Sequence, residues 1–379
     1  MISKLSPRSL ALGIALLYLP FVAWKHWPFE FGYDLGGYYN YLTRGFLDGQ
    51  LHVPIQPSQE ILAAPNPQDP SLPQEWKMHD MALYKGRYYL YHGMGPVLVL
   101  LAPWRLVTGF DLPEPVAGLV FIAMGLWALL LLTQPINLRK LAAIAFCSGT
   151  LVVLPRLAVY ELAISCGFMC VAWAFVARAE NDSKRDWQAG ALLGLALLSR
   201  PHLALAAVFF RWRSWPGLLI AGCVLAAYNY ARFDSPTELG LKYLLSGPNQ
   251  QVPEPTLGKT FGALYLLVLQ IPELRLSWPL VFPRWDAWFP TPENLYHEPL
   301  VGAIFFAPFL LLLRRLRDPY LLSGVLILCF VAITGWVTQR YLLDFLPWFV
   351  VAFLMQEAQP RWRWVLPGAL CAILICLAA

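Results

Sequence analysis

The chain has 379 residues, of which 58% are hydrophobic, 15% aromatic and only 13% charged. Soluble domains carry about 25% charged residues, and the mean hydropathy of +0.53 excludes an ordinary soluble protein. The net charge of +5 is scattered in small groups between apolar runs, so it points to no nucleic-acid partner.

Apolar runs close to the length that crosses a bilayer, about 17–25 residues, recur along the chain. They predict spans at 8–24, 113–133, 140–156, 160–178, 188–210, 216–232, 299–316, 320–337, 341–356 and 363–379. Lys4 and Arg8 lead into the first run as in a signal peptide, but no small-residue cleavage site follows. An uncleaved first span is expected. Polar loops at 25–112 and 233–298 interrupt the spans. The run 188–210 carries Ser199–Arg200–Pro201–His202 in its middle, which predicts two half-helices turning at Arg200 around a cavity. Met94–Thr108 is apolar but contains Pro96, Pro103 and Arg105, and its shortness predicts an interfacial helix.

With the N-terminus inside and the interfacial helix uncounted, the basic groups at Arg139/Lys140, Arg178/Lys184/Arg185, Arg211/Arg213, Arg314/Arg315/Arg317 and Arg361/Arg363 all fall inside, as the positive-inside rule requires. The expected fold class is an all-α polytopic membrane protein, one integral-membrane domain over 1–379. It would have about ten to eleven crossings and two long outer loops bearing interfacial helices. His26, His52, His79, His92, His202 and His297 then all lie on the outer side, so chemistry is expected at the outer membrane–water boundary. The seven cysteines lie in apolar runs, where packing is expected rather than disulfides. Cys166 and Cys170 lack the His or acid that would complete a metal set.

Asp34, in YDLGGYYNY, follows the first span among Tyr38, Tyr39 and Tyr41. A partly desolvated carboxylate there suits a general base; a cap for a helix starting near Leu35 is the structural alternative. Lys85 and Arg87 stand just before the interfacial segment, where they either hold a lipid phosphate or snorkel. Asp80 beside His79 reads as a second acid, half a metal site or a solvated pair, and a divalent metal is left open. Glu161 starts a helix, where the macrodipole favours an acid. Arg200 and His202 sit within an apolar run, where a charge is costly without a cavity or partner. Arg340 and Asp344 have i,i+4 spacing, which suits a helical ion pair or leaves Arg340 as a phosphate clamp. Nucleotide-binding, zinc-protease and serine-hydrolase motifs are absent from the sequence.

In this order the parts resemble the C-type (GT-C) integral-membrane glycosyltransferases, and among them the bacterial protein-mannosyltransferase-like and lipid A aminoarabinose-transferase-like enzymes of the family-39 type. The resemblance runs over roughly residues 8–345. It rests on YDLGGYY after the first span, YHGMGPVLVLLAPW with His92, LPRLAVYEL with Glu161, GALLGLALLSRP with Arg200, and YNYARFDSPTELGLKY. The lone Asp34 stands where relatives commonly have an Asp–Glu pair, Glu161 where many have Asp, and Arg200 where Lys is usual. The resemblance implies a polyprenyl-phosphate-linked sugar as donor and a glycan, lipid or protein hydroxyl as acceptor at the outer face of the cytoplasmic membrane. It implies inversion, with Asp34 as base, Lys85, Arg87, Arg200 and Arg340 on the donor phosphate, and the tyrosines, Asp80, His92, Glu161 and His202 in the substrate pocket. No organic cofactor is implied. The alternatives are a lipid or polysaccharide flippase and a catalytically silent assembly partner.

Overall fold

A computed structural model of the chain describes residues 5–180, 182–245, 255–293, 295–357 and 359–378. Residues 246–254 of the second expected loop and the last residue of the final expected span lie outside the described residues. The protein is mostly helical. Among the described residues, four helical runs are long and apolar enough to cross a membrane: Pro7–His26, Glu114–Leu132, Leu138–Arg156 and Val159–Ala179. They answer to the first four apolar runs in the sequence after loop 25–112 is set aside.

Helix Pro7–His26 opens on Ser6, whose side chain accepts the Ser9 amide, a standard N-cap arrangement. The run Leu138–Arg156 is interrupted after Cys147 and resumes as a tight 3-10 turn at Leu151. The interruption is held by Tyr18, whose hydroxyl lies 2.8 Å from Thr150 Oγ1. Val159–Ala179 is the central helix, buried along nearly its whole length. Leu342–Gln356 is buried with it, and Phe175 and Trp348 join the two, with ring centroids 5.3 Å apart.

The expected turn at Arg200 is present. Helix Ser183–Ser199 rises until Ser199 Oγ donates to Cys166 Sγ at 3.3 Å. Arg200 is extended, and Pro201–Phe209 continues as a 3-10 helix. This second limb returns along the central helix until Phe209 O accepts from Arg178 Nε at 2.9 Å. Helix Trp215–Phe233 then climbs parallel to Ser183–Ser199. Their backbones approach so closely that a Cβ on Gly217 would lie 2.5 Å from the Gly190 carbonyl carbon, the kind of contact small residues permit between membrane helices.

Other expected spans differ in detail. The run 299–316 is not one helix: Ala303–Phe306 ends at Ala307, and Pro308–Leu312 follows as a 3-10 turn, because a proline cannot continue the ladder. Pro319–Thr334 stops at Gly335, which has φ 72°. Apolar helices too short to cross alone form at Val97–Thr108, Leu257–Leu269, Pro319–Thr334 and Trp362–Ala378.

The two ends of the bundle are unlike. At one, Arg139 reaches Pro360 O at 3.5 Å, Arg314 N donates to Gln356 Oε1 at 3.0 Å and Arg211 lies 3.6 Å from Asp186. At the other, the two polar loops pack on each other. The hairpin Met81–Tyr84/Arg87–Leu90 turns through Lys85 and Gly86, both at positive φ, which matches the right-handed twist of its strands. Ala82 bridges to Leu244, and both Tyr84 OH and Lys85 Nζ lie 2.6 Å from Asp234.

Candidate functional site

The first polar loop is built around two acids that local sequence reading passes over. Asp111 is fully buried and receives both Arg44 and Arg105. It also accepts the Leu35 amide at 2.9 Å, which pins the loop that carries Asp34. Glu114, in the first turn of its helix, accepts the Tyr39 and Asn40 amides at 2.7 and 3.2 Å. It therefore caps helix Tyr38–Leu47 from another element. Gly37 precedes that helix with φ 115°, and a Cβ there would lie 2.4 Å from Glu114 Oε1. The capping role weighed for Asp34 thus belongs to Glu114. Two acids and two prolines in DLPEP ahead of a long apolar helix are the sequence signal for such a fixture.

Asp34 itself is 83% exposed at its side chain, with Arg44 at 3.6 Å. It is not in the partly desolvated tyrosine pocket expected. Tyr39 is buried and its hydroxyl donates to Gly93 O at 3.0 Å. Tyr38 donates to His79 O at 2.5 Å; burial, then the charge of Asp80, pushes its hydroxyl up to about 12. Tyr41 lies under the Arg44 guanidinium at 5.1 Å.

Beneath the loops lie three adjoining cavities. One, about 40 Å³, is lined by Asp80, Tyr91, Tyr160, Glu298, Arg340 and Tyr341, among others. A second, about 240 Å³, shares Arg340 and Glu298 and adds Arg156, Glu161 and Arg275. A third, about 340 Å³, shares Tyr341 with the first and adds Arg200 and His202. Arg340 is held by Glu298 through two bonds of 3.2 and 3.1 Å. It lies 3.7 Å from Glu161 and 4.2 Å above the Tyr160 ring. Arg200 Nη2 lies 3.0 Å from Asp344 Oδ2 and His202 Nε2 3.3 Å from the same oxygen. Both are ion-pair distances without hydrogen-bond alignment, for neither Asp344 oxygen has a hydrogen-bond partner. The Nε atoms of Arg200 and Arg340 are likewise buried donors without one.

The i,i+4 pairing of Arg340 with Asp344 does not form. Arg340 sits in the 3-10 turn Gln339–Tyr341, and Asp344 in the first turn of the next helix, so helical spacing does not apply between them. Asp80 is buried at the cavity wall with φ 61°, and His79 Nε2 is 3.5 Å away. Among the described residues no group of three or more His, Cys, Asp or Glu could hold a metal ion. His92 is half-buried between Tyr91 and Tyr160, with its Nε2 atom fully enclosed; desolvation, then Arg200 and Arg340, holds its imidazole well below the usual range. Lys85 and Arg87 lie at the hairpin turn and do not line these cavities. Lys85 is committed to Asp234.

Arg232, passed over in the sequence, is buried in YNYARF and donates to Leu90 O at 2.6 Å and Asn229 Oδ1 at 2.8 Å. Its guanidinium lies 3.8 Å above the Tyr228 ring. It locks the end of helix Trp215–Phe233 to the loop hairpin.

Comparison with protein families, curated proteins and solved structures finds no match to this chain. The class its fold defines is a mostly helical protein with several helices long and apolar enough to cross a membrane.

Proposed function

We propose that the protein is a multi-pass membrane glycosyltransferase of GT-C-like design, with the loop end of the bundle on the outer face. It moves a sugar from a polyprenyl-phosphate donor to an acceptor hydroxyl. The observation that carries this reading is the pair of guanidinium groups, Arg200 and Arg340, in adjoining cavities beneath both loops. A charge buried in such a chain is costly unless a partner or ligand uses it. Each keeps an Nε donor free of protein partners. Donors preorganised around the leaving group stabilise a departing anion better than water does.

In the reaction, the acceptor oxygen bonds to the sugar's anomeric carbon as the bond from that carbon to the phosphate oxygen breaks. The lipid phosphate leaves as an anion against the arginines, so no general acid is needed. The acceptor proton goes to a carboxylate. Asp34 suits that task because Asp111 and Glu114 carry the structural bonds around it, leaving its carboxylate accessible. Asp80, Glu161, His92, His202 and the tyrosines line or border the substrate space, and Lys85 and Arg87 stand at the outer rim. The basic end of the bundle then faces the cytoplasm, as the positive-inside rule asks.

The test is release of free polyprenyl phosphate from a panel of polyprenyl-phosphate sugars by purified protein in lipid. Release by the unsubstituted chain and its loss in Asp34→Asn is the expected result. Loss in Asp80→Asn with release intact in Asp34→Asn would move the base to the cavity acid. Folded protein that turns over no donor would refute the transferase reading.

A further inference from the structure

The second loop carries an apolar surface that the transfer reaction leaves unused. Strands Glu273–Leu274 and Val281–Phe282 form a short antiparallel hairpin. Its turn is closed by Leu280 N donating to Ser277 O at 2.8 Å and Arg275 N to Leu280 O at 3.0 Å. The tip is apolar and bare: Leu276 is 104% exposed and Trp278 73%. Leu274, Trp285, Trp288 and Phe289 continue the exposed face. Soluble surfaces rarely gather so many large apolar side chains without a partner.

The two arginines are folded flat against this face, while Asp286 between Trp285 and Trp288 is exposed. Arg275 forks onto Glu273 with two 2.9 Å bonds and lies 4.6 Å above the Phe282 ring. Arg284 lies 5.2 Å above Trp288, with a buried Nε that has no protein partner. Tryptophan beside arginine that keeps its head at the rim is the composition of a membrane interface.

The hairpin is also placed at a bilayer edge. Val281–Phe282 packs on the apolar helix Trp362–Ala378. Phe282 and Trp285 share a cavity wall with Ile375 and Ala378, in the last turn of that helix. The same cavity holds Arg156 and Arg340.

We propose that the 273–289 segment is a membrane-dipping element, with its tip among the acyl chains of the leaflet at the loop end. Its partner is the lipid surface itself, and Arg275 and Arg284 meet headgroup phosphates. The hairpin then forms the wall between the bilayer and the cavity of Arg340, so a lipid can reach that arginine sideways without passing through water. The inference rests on the membrane-crossing helices and not on sugar transfer, so failure of either leaves the other standing.

The experiment attaches an environment-sensitive fluorophore at Leu276→Cys in protein held as single copies in lipid nanodiscs. The unsubstituted chain, labelled in parallel, supplies the background of its own cysteines. Leu16→Cys, exposed on a membrane-crossing helix, and Gln59→Cys, exposed in the first loop, are the two references. The expected result at 276 is quenching by lipid-borne nitroxides to the extent seen at 16, with little quenching by iodide. Iodide quenching equal to that at 59 would overturn the proposal. So would shielding from both quenchers, which would mean that protein covers the tip. Leu276→Asp keeps the test independent of labelling. It should leave thermal stability in detergent unchanged and make the segment's amides exchange faster in nanodiscs, and an unchanged exchange rate there would also overturn the proposal.

Discussion

Replacing Glu114 with alanine removes one oxygen that serves two amides of another helix. The Tyr39 and Asn40 N–H groups at 2.7 and 3.2 Å would be left buried and unpaired. A buried donor left unpaired costs about 1–3 kcal/mol, and loss of an N-cap costs about 0.5–2 kcal/mol. The two bonds share an acceptor and are not additive, so the expected loss is about 2–4 kcal/mol. Glu114→Gln keeps a carbonyl oxygen in place and should cost about 1 kcal/mol. The loss is local, because it frees the start of helix Tyr38–Leu47 while Asp111 still holds the Leu35 amide. Hydrogen exchange read on peptides covering 38–47, in nanodiscs, is the assay. At 1.4 kcal/mol per factor of ten, the alanine variant should exchange roughly 30- to 700-fold faster at the capped amides. The glutamine variant should stay within roughly tenfold of the unsubstituted chain. Equal exchange in all three proteins would refute the capping argument, as would a glutamine variant no better than alanine.

Asp111→Asn leaves Arg44 and Arg105 facing a neutral group; breaking such a buried set should cost about 3–5 kcal/mol, read by denaturation and by faster proteolysis at the 32–35 loop. Arg232→Met abandons the Leu90 carbonyl and the Asn229 amide oxygen, with an expected loss of about 2–4 kcal/mol; a variant as stable as the parent would refute the role given to it. His92 is neutral in the folded protein because burial and then Arg200 and Arg340 depress its pKa. Its unfolded form takes a proton as pH falls through about 6.5, so stability is full above that pH and declines below it. His92→Gln should flatten the acid side of the stability curve, and an unchanged slope would count against the argument.

Local chemistry made parts of this molecule readable. Ser199–Arg200–Pro201–His202 announced a turn because proline and a mid-run charge both oppose a continuous helix. The shortness of Val97–Thr108 is equally local. What stayed hidden depends on contacts between distant elements. Nothing near Tyr38 in the sequence says that Glu114 will cap it, and the buried surroundings of Asp111 come from three separate segments. Arg340 and Asp344 were paired by a periodicity that holds only inside an α-helix, and a 3-10 turn separates their partners. Asp34 was expected in a pocket because its neighbours are aromatic, yet Tyr39 turns into the core and leaves the acid in solvent.

The return limb Pro201–Phe209 carries a consequence for how the chain enters a bilayer. A 3-10 helix rises about 2.0 Å per residue, against about 1.5 Å for an α-helix. Nine residues therefore descend roughly 18 Å, the reach of about twelve in the α form. Neither this limb nor Ser183–Ser199 has the length and uniform greasiness that an insertion machinery accepts alone. On the topology proposed above, the two would enter as one looped unit, with the arginine carried at its leading edge and left at the far side once the loop has passed through.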